Sequence, residues 1–319
     1  MTTGLIALAI TFVLGFFIYP IFIEQLKKST AQQQVSEYAL DEFKDKQKTV
    51  TFGGLVFVVL PVVVTFFVSL KSMNINLLLI MGMYLAYGLL GLIDDYKIIK
   101  EGKNDGLSAK TKLLTQFLLG VVFYFVFTLN GGSTALNIPI VNYQIELGIL
   151  YLPFVVFMLA AYSNAVNLTD GMDGLATGTS IIAFIPLIIF AFKEVDPSLF
   201  IFLLSVVGAL LAFLVYNYNP AKIFMGDVGS LALGSLFALA TIYLKLEILS
   251  IVIGGVFVYE TLCVVIQQVA VRVFKKRVFR YTPIHYSFTL SGWKEITVVH
   301  FFWGLGLVFA ILAFWIGTF

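Results

Sequence analysis

Long uninterrupted apolar runs constrain this chain more than any other feature. Residues 55–70 and 181–192 contain no charged side chain and no apolar–polar alternation. In lipid every backbone N–H and C=O must be satisfied internally, which leaves only helices or a closed barrel. Barrel strands alternate their character at every second residue, so these runs read as helices. Composition agrees, with 60% hydrophobic and 12% charged residues over 319 positions, against roughly 45–50% and 25% in soluble domains.

At about 20 apolar residues per crossing, ten spans are expected, centred near residues 13, 60, 84, 121, 157, 185, 207, 237, 257 and 309. The first reads as a span and not as a cleavable leader, because Met1 to Gly4 carry no basic residue and Lys27 and Lys28 come only after the run. An even number of spans returns both termini to one side. Seventeen of the twenty Lys and Arg then fall in loops on a single face, leaving Lys71, Lys193 and Lys245 on the other. The positive-inside bias makes the first face cytoplasmic and both termini extracytoplasmic. The expectation is an all-α polytopic membrane protein, multi-pass in a cell membrane, with one integral domain over 1–319. Its cytoplasmic loops fall near 24–50, 95–112, 165–177, 217–229 and 268–297. A small outer β-hairpin is expected near 138–146, where β-branched residues around Asn142 follow the turn signal Asn130-Gly131-Gly132-Ser133.

A net charge of +2 is too small to suggest a nucleic-acid partner, and the basic loops suit membrane lipids instead. Cys263, the only cysteine, lies in an apolar run, which excludes disulfides and cysteine-based metal clusters.

The polar residues collect in five places, all on the cytoplasmic face. Asp94-Asp95 closes the third span; two adjacent carboxylates repel, and either a hard cation such as Mg²⁺ or a pair with Lys97 relieves this. Asn164, Asn167, Asp170 and Asp173 recur at every third residue, followed by Gly171 and Gly174, which break the helix and fold the two Asp back toward a polar ligand. Residues 217–230 carry Asn217, an aromatic Phe224 beside Gly226-Asp227, and so offer base stacking and metal ligation, or an N-cap at Asp227. The loop from Arg272 to Lys294 is basic and amphipathic and holds His285 after Pro283. Lys46 and Thr51 precede the paired Gly53-Gly54, whose backbone N–H groups suit phosphate. Transporters place decisive charges mid-span; these spans hold almost none, with Glu260 the main exception.

These segments resemble the four signatures of the polyprenyl-phosphate N-acetylhexosamine-1-phosphate transferases, over about residues 46–303. The resemblance implies ten spans, a bound Mg²⁺, and transfer of phospho-MurNAc-pentapeptide from UDP-MurNAc-pentapeptide to undecaprenyl phosphate in a bacterial membrane, with the site facing the cytoplasm. It implies Asp227 as metal ligand and catalytic roles for Asp94, Asp95 and His285. It places Asn167, Asp170, Asp173, Asn217 and Phe224 around the uridine and diphosphate, with Lys46, Thr51, Lys110 and Gln267 also at the nucleotide site. Where the muramoyl branch carries three consecutive His, this chain reads His285-Tyr286-Ser287, so transfer of N-acetylglucosamine-1-phosphate for a wall polymer stands as the alternative. No residue pattern selects an oligomeric state, and a homodimer remains open.

Overall fold

The computed structural model describes residues 1–29, 49–70, 72–101, 106–141, 143–193 and 197–318, with only the backbone at 140. Lys46 and Asn142 lie outside the described residues. The helices are α1 (Thr2–Lys28), α2 (Gly54–Val68), α3 (Ile75–Glu101), α4 (Ala109–Leu129), α5 (Tyr151–Thr169), α6 (Leu175–Lys193), α7 (Pro197–Asn217), α8 (Gly226–Tyr243), the single turn α9 (Ser250–Ile253), α10 (Gly255–Val269), α11 (His285–Thr289) and α12 (Glu295–Ile316).

Nine helices among the described residues are long and apolar enough to cross a membrane, and α2 is a tenth, shorter apolar helix. The protein is an all-α multi-pass membrane protein, as the apolar runs imply. At about 1.5 Å per residue, the fifteen residues of α2 fall short of a hydrocarbon core of about 30 Å. The shortfall has a local cause. The segment before α2 is bonded inside the protein: Phe224 N–H donates to Val50 O at 2.9 Å, Gly53 N–H to Phe224 O at 2.8 Å and Gly54 N–H to Met225 O at 3.0 Å. This corrects the expectation that the paired glycines bind phosphate, because their N–H groups are already spent.

The centre of the bundle is α8, nearly all of whose residues are buried. Lipid tails give no hydrophobic drive between helices, so close backbone approach supplies much of the association. A side chain at Gly234 would fall 2.2 Å from Tyr162 O on α5, and one at Gly91 on α3 would fall 2.1 Å from Asp227 O. Glycine at these two places lets α5 and α3 close onto α8.

The strands β1 (Ala135–Ile138) and β2 (Tyr143–Glu146) pair antiparallel with Ala135 opposite Glu146, so the hairpin starts slightly earlier than expected. It sits at the end of the bundle where α8 finishes. There Lys245 Nζ donates to Ser133 O and to the Tyr151 hydroxyl, both at 2.9 Å, and pairs with Glu247 at 2.8 Å. Both chain ends lie at this same end, Gly4 against Phe200 and Leu204 near the start of α7, and Gly317 against Phe190 and Leu249. Asp227, at the first turn of α8, is at the opposite end.

Candidate active site

Three helix ends meet at that opposite face. α3 stays helical through Asp94 and Asp95, α4 begins after the N-cap Ser108, whose side chain accepts from Thr111 N–H at 3.1 Å, and α8 begins at Gly226. The close approach at Gly91 brings Asp94 and Asp95, one turn further along α3, beside the start of α8. Asp95 Oδ2 accepts from Val228 N–H at 3.1 Å, which satisfies one of the free N–H groups of α8's first turn. Thr51 is buried at the same junction, its hydroxyl and Asp95 both lying against Gly226.

Asp94 is buried, and its Oδ1 accepts from Leu107 N–H at 2.5 Å. Lys97 Nζ closes the same turn by donating to Gly106 O at 2.9 Å. The other oxygen, Oδ2, meets Lys112 Nζ at 2.8 Å, and that ammonium also contacts Asp227 Oδ2 at 2.7 Å. Asn167, on the last turn of α5, donates to Asp227 Oδ1 at 2.6 Å and to the Ser230 hydroxyl at 2.9 Å. Two carboxylates thus share one ammonium at the wall of a cleft of about 620 Å³, lined by Asp94, Lys97, Leu107, Ser108, Lys112, Asn167 and Asp227.

Such carboxylates demand positive charge between them, because like charges this close cannot both stay ionised without a counter-ion. Hard oxygen donors and a shared cation position fit a divalent ion such as Mg²⁺, which takes one or two protein carboxylates and leaves other positions for water and phosphate. Among the described residues no three His, Cys, Asp or Glu side chains converge as a group that could hold a metal ion.

Other expected residues stand around the cleft as braces. Asp173 is buried; its Oδ2 accepts from Asn219 Nδ2 at 3.1 Å and Ala221 N–H at 2.9 Å, while its own N–H donates to Glu295 at 2.8 Å. Asn217 accepts from Gly174 N–H at 3.2 Å and the Thr177 hydroxyl at 2.7 Å and donates to Ile223 O at 3.0 Å. These two side chains lash the 170–175 turn to the 217–225 loop. Asp170 caps α5 through its N–H, bonded to Val166 O and Asn167 O, and Phe224 is half-buried in the stretch that pairs with Val50. Asn164 is exposed one turn back along α5, donating to Gln116 Oε1 at 3.1 Å and Ala160 O at 2.7 Å.

Of the expected residues only Asp94, Asn167 and Asp227 line the cleft itself, and three more stand apart from both its wall and its braces. Lys110 is exposed, and Lys112, read from sequence only as a topology charge, takes the inward position. Gln267 spends its amide on the loop, accepting from Val278 and Phe279 N–H at 3.0 Å each and donating to Phe279 O at 3.1 Å. His285 is fully buried against Glu260, 3.2 Å from Nδ1 to Oε1.

Known proteins resemble this chain over nearly its whole length. Residues 77–245, which carry the Asp94, Asn167 and Asp227 segments, match the family described as Glycosyl transferase family 4. A phospho-N-acetylmuramoyl-pentapeptide-transferase of Geobacillus sp. (strain WCH70) is 42% identical over 313 residues, covering 98% of this chain and 97% of that protein. Proteins of the same name from Staphylococcus epidermidis and Staphylococcus haemolyticus are 43% and 44% identical, each over 99% of this chain and 98% of their own length. The chain belongs to glycosyl transferase family 4, in its group of phospho-N-acetylmuramoyl-pentapeptide-transferases.

Proposed function

We propose that this chain transfers phospho-N-acetylmuramoyl-pentapeptide from UDP-MurNAc-pentapeptide to undecaprenyl phosphate, releasing UMP and forming lipid I, at the cytoplasmic face of a bacterial cell membrane. The observation that carries this is the Asp94–Lys112–Asp227 array, set at one end of the bundle in a chain similar over its full length to proteins of that name. The orientation rests on charge. Lys97, Lys112 and the basic stretch from Arg272 to Arg280 share the cleft's end of the molecule, and such residues favour the cytoplasmic side. A soluble nucleotide arrives from the same side, and the acceptor phosphate waits at headgroup depth.

In the reaction an oxygen of the lipid phosphate forms a bond to the β-phosphorus of the donor. The bond from that phosphorus to the bridging oxygen breaks, and its electron pair leaves with UMP. The charge developing on the departing phosphate is the main cost, and positive groups already in place lower it. Lys112 supplies one such charge. Asp227 would hold Mg²⁺, which when bound would supply a divalent charge at the phosphates. Asp94 takes up any proton still on the acceptor phosphate, a modest demand because the second pKa of a phosphate monoester is about 6. Asn167 fixes the rotamer of Asp227, and Asp95 fixes the start of α8. Every one of these side chains comes from a single chain, so a homodimer would pair two complete sites.

Purified protein with undecaprenyl phosphate and Mg²⁺ tests the reading. UMP release is expected with UDP-MurNAc-pentapeptide and not with UDP-GlcNAc; release with UDP-GlcNAc alone would assign the enzyme to a different donor.

A further inference from the structure

Glu260 is a carboxylate in the middle of the apolar helix α10, fully buried and remote from the acidic cleft's contacts. An ionisable group inside a span is costly and persists only with partners. Its two oxygens divide between consecutive residues of a distant loop: Oε2 accepts from Ile284 N–H at 2.9 Å, and Oε1 lies 3.2 Å from His285 Nδ1. This contact places the imidazole proton on Nδ1 and turns Nε2 the other way. Nε2 is buried with no hydrogen-bond partner among the described residues. It abuts the turn after α5, so closely that a Cβ added to Gly171 would fall 2.3 Å from it. The next residue grips the same turn, Tyr286 donating its hydroxyl to Gly171 O at 3.1 Å. Burial pushes the Tyr286 phenol well above its ordinary pKa, which keeps it a donor. One turn before Gly171 stands Asn167, bonded to Asp227.

A contact path therefore runs from Glu260 through His285 to Gly171, and along the backbone to the residue that orients Asp227. A group exchanging protons with substrate must come within about 2.6–3.2 Å of it, and the His285 ring is enclosed instead between Glu260, Tyr286 and Gly171. We propose that Glu260 and His285 are positioning residues for the transfer: Glu260 aims the ring, the ring props the Gly171 turn, and the turn holds Asn167 in register with Asp227. The proposal rests on the transferase reading of the cleft.

Its test is a set of variants of the full-length protein, read by UMP release as a function of pH and by melting temperature. Gly171→Ala is expected to lower turnover about 100-fold, the order that a displacement of about 1 Å costs. Removing the obstructing ring in that background, Gly171→Ala with His285→Ala, should restore roughly tenfold over Gly171→Ala alone, since residues in contact are not additive. His285→Ala alone should lower turnover while keeping both limbs of the wild-type pH profile. Glu260→Gln, which retains an acceptor for Ile284, should lose activity, and combined with His285→Ala should be no worse than His285→Ala. Loss of a pH limb in His285→Ala, or losses that multiply in both double variants, would overturn the proposal. If Gly171→Ala does not fold, the Glu260→Gln and His285→Ala pair decides. If the wild-type protein releases no UMP, the transferase reading falls separately, and the prop is judged by whether His285→Ala raises the melting temperature of Gly171→Ala.

Discussion

Lys112 neutralises two carboxylates at once, and its replacement by Met removes that charge while keeping most of the chain length. Breaking a fully buried pair costs about 3–5 kcal/mol; Asp94 is 2% exposed, but Lys112 and Asp227 are 24% and 21% exposed, so the loss lies at or below the lower end of that range. Lys112→Met should lower the melting temperature, Mg²⁺ should restore part of it, and turnover should fall at least about 100-fold, as when a preorganised charge is removed from a transition state. Lys110→Met should leave stability within about 0.5 kcal/mol, as exposed changes do, and turnover near wild type. A melting curve with and without Mg²⁺, beside a UMP assay, checks both. The sequence could not separate these two lysines by residue type. They are two apart on α4, about 200° around the helix, and only packing against α3 and α8 decides which one enters the cleft. Asp94, Asp227 and Asn167 were legible because polar side chains at the edge of an apolar run have few structural reasons to be there. Asp173, Asn217 and Gln267 carry the same chemistry, yet their amide and carboxylate groups are committed to backbone partners, which no residue pattern reveals.

At the scale of elements, the 217–225 loop is held by α6's first turn and by the segment before α2. Asn217→Ala would leave Gly174 N–H and Ile223 O without their partner, at about 1–3 kcal/mol for each buried group left unpaired. The expected result is a lower melting temperature together with weaker binding of the donor nucleotide, measured by calorimetry; unchanged values for both would remove the brace from the account. The apolar runs gave the helices away readily, since nothing but a helix satisfies so much backbone in lipid. They said less about where helices end. α2 begins inside the protein because residues 50–54 pair with 223–225, a contact between segments about 170 residues apart. The same long-range pairing took the glycine N–H groups out of the phosphate-binding role that their local sequence suggested.

Across the whole molecule, helix number and direction place Asp94, Asn167 and Asp227 at one end and the hairpin, Gly4 and Gly317 at the other. Charge bias then predicts which end meets the cytoplasm. Single cysteines at Ser108 and Ser291 should react with an impermeant maleimide only from the cytoplasmic side, and cysteines at Ser133 and Thr318 only from outside, in protein whose buried Cys263 is replaced by Ser. The reverse pattern would invert the topology and separate the cleft from its nucleotide. The expected orientation rests on most of the basic residues lying on one face, whereas the convergence of three helix ends on a single cleft depends on backbone approach at Gly91 that only the folded chain displays.

In the proposed transfer the bond broken lies between the two phosphates of the donor and not between sugar and phosphate. Donor labelled with ³²P at its β-phosphate, incubated with the purified protein, Mg²⁺ and undecaprenyl phosphate, distinguishes the two. All transferred label is expected in the lipid product, and the UMP released is expected to be unlabelled. Label leaving in water-soluble UDP, with sugar on an unlabelled lipid, would contradict it.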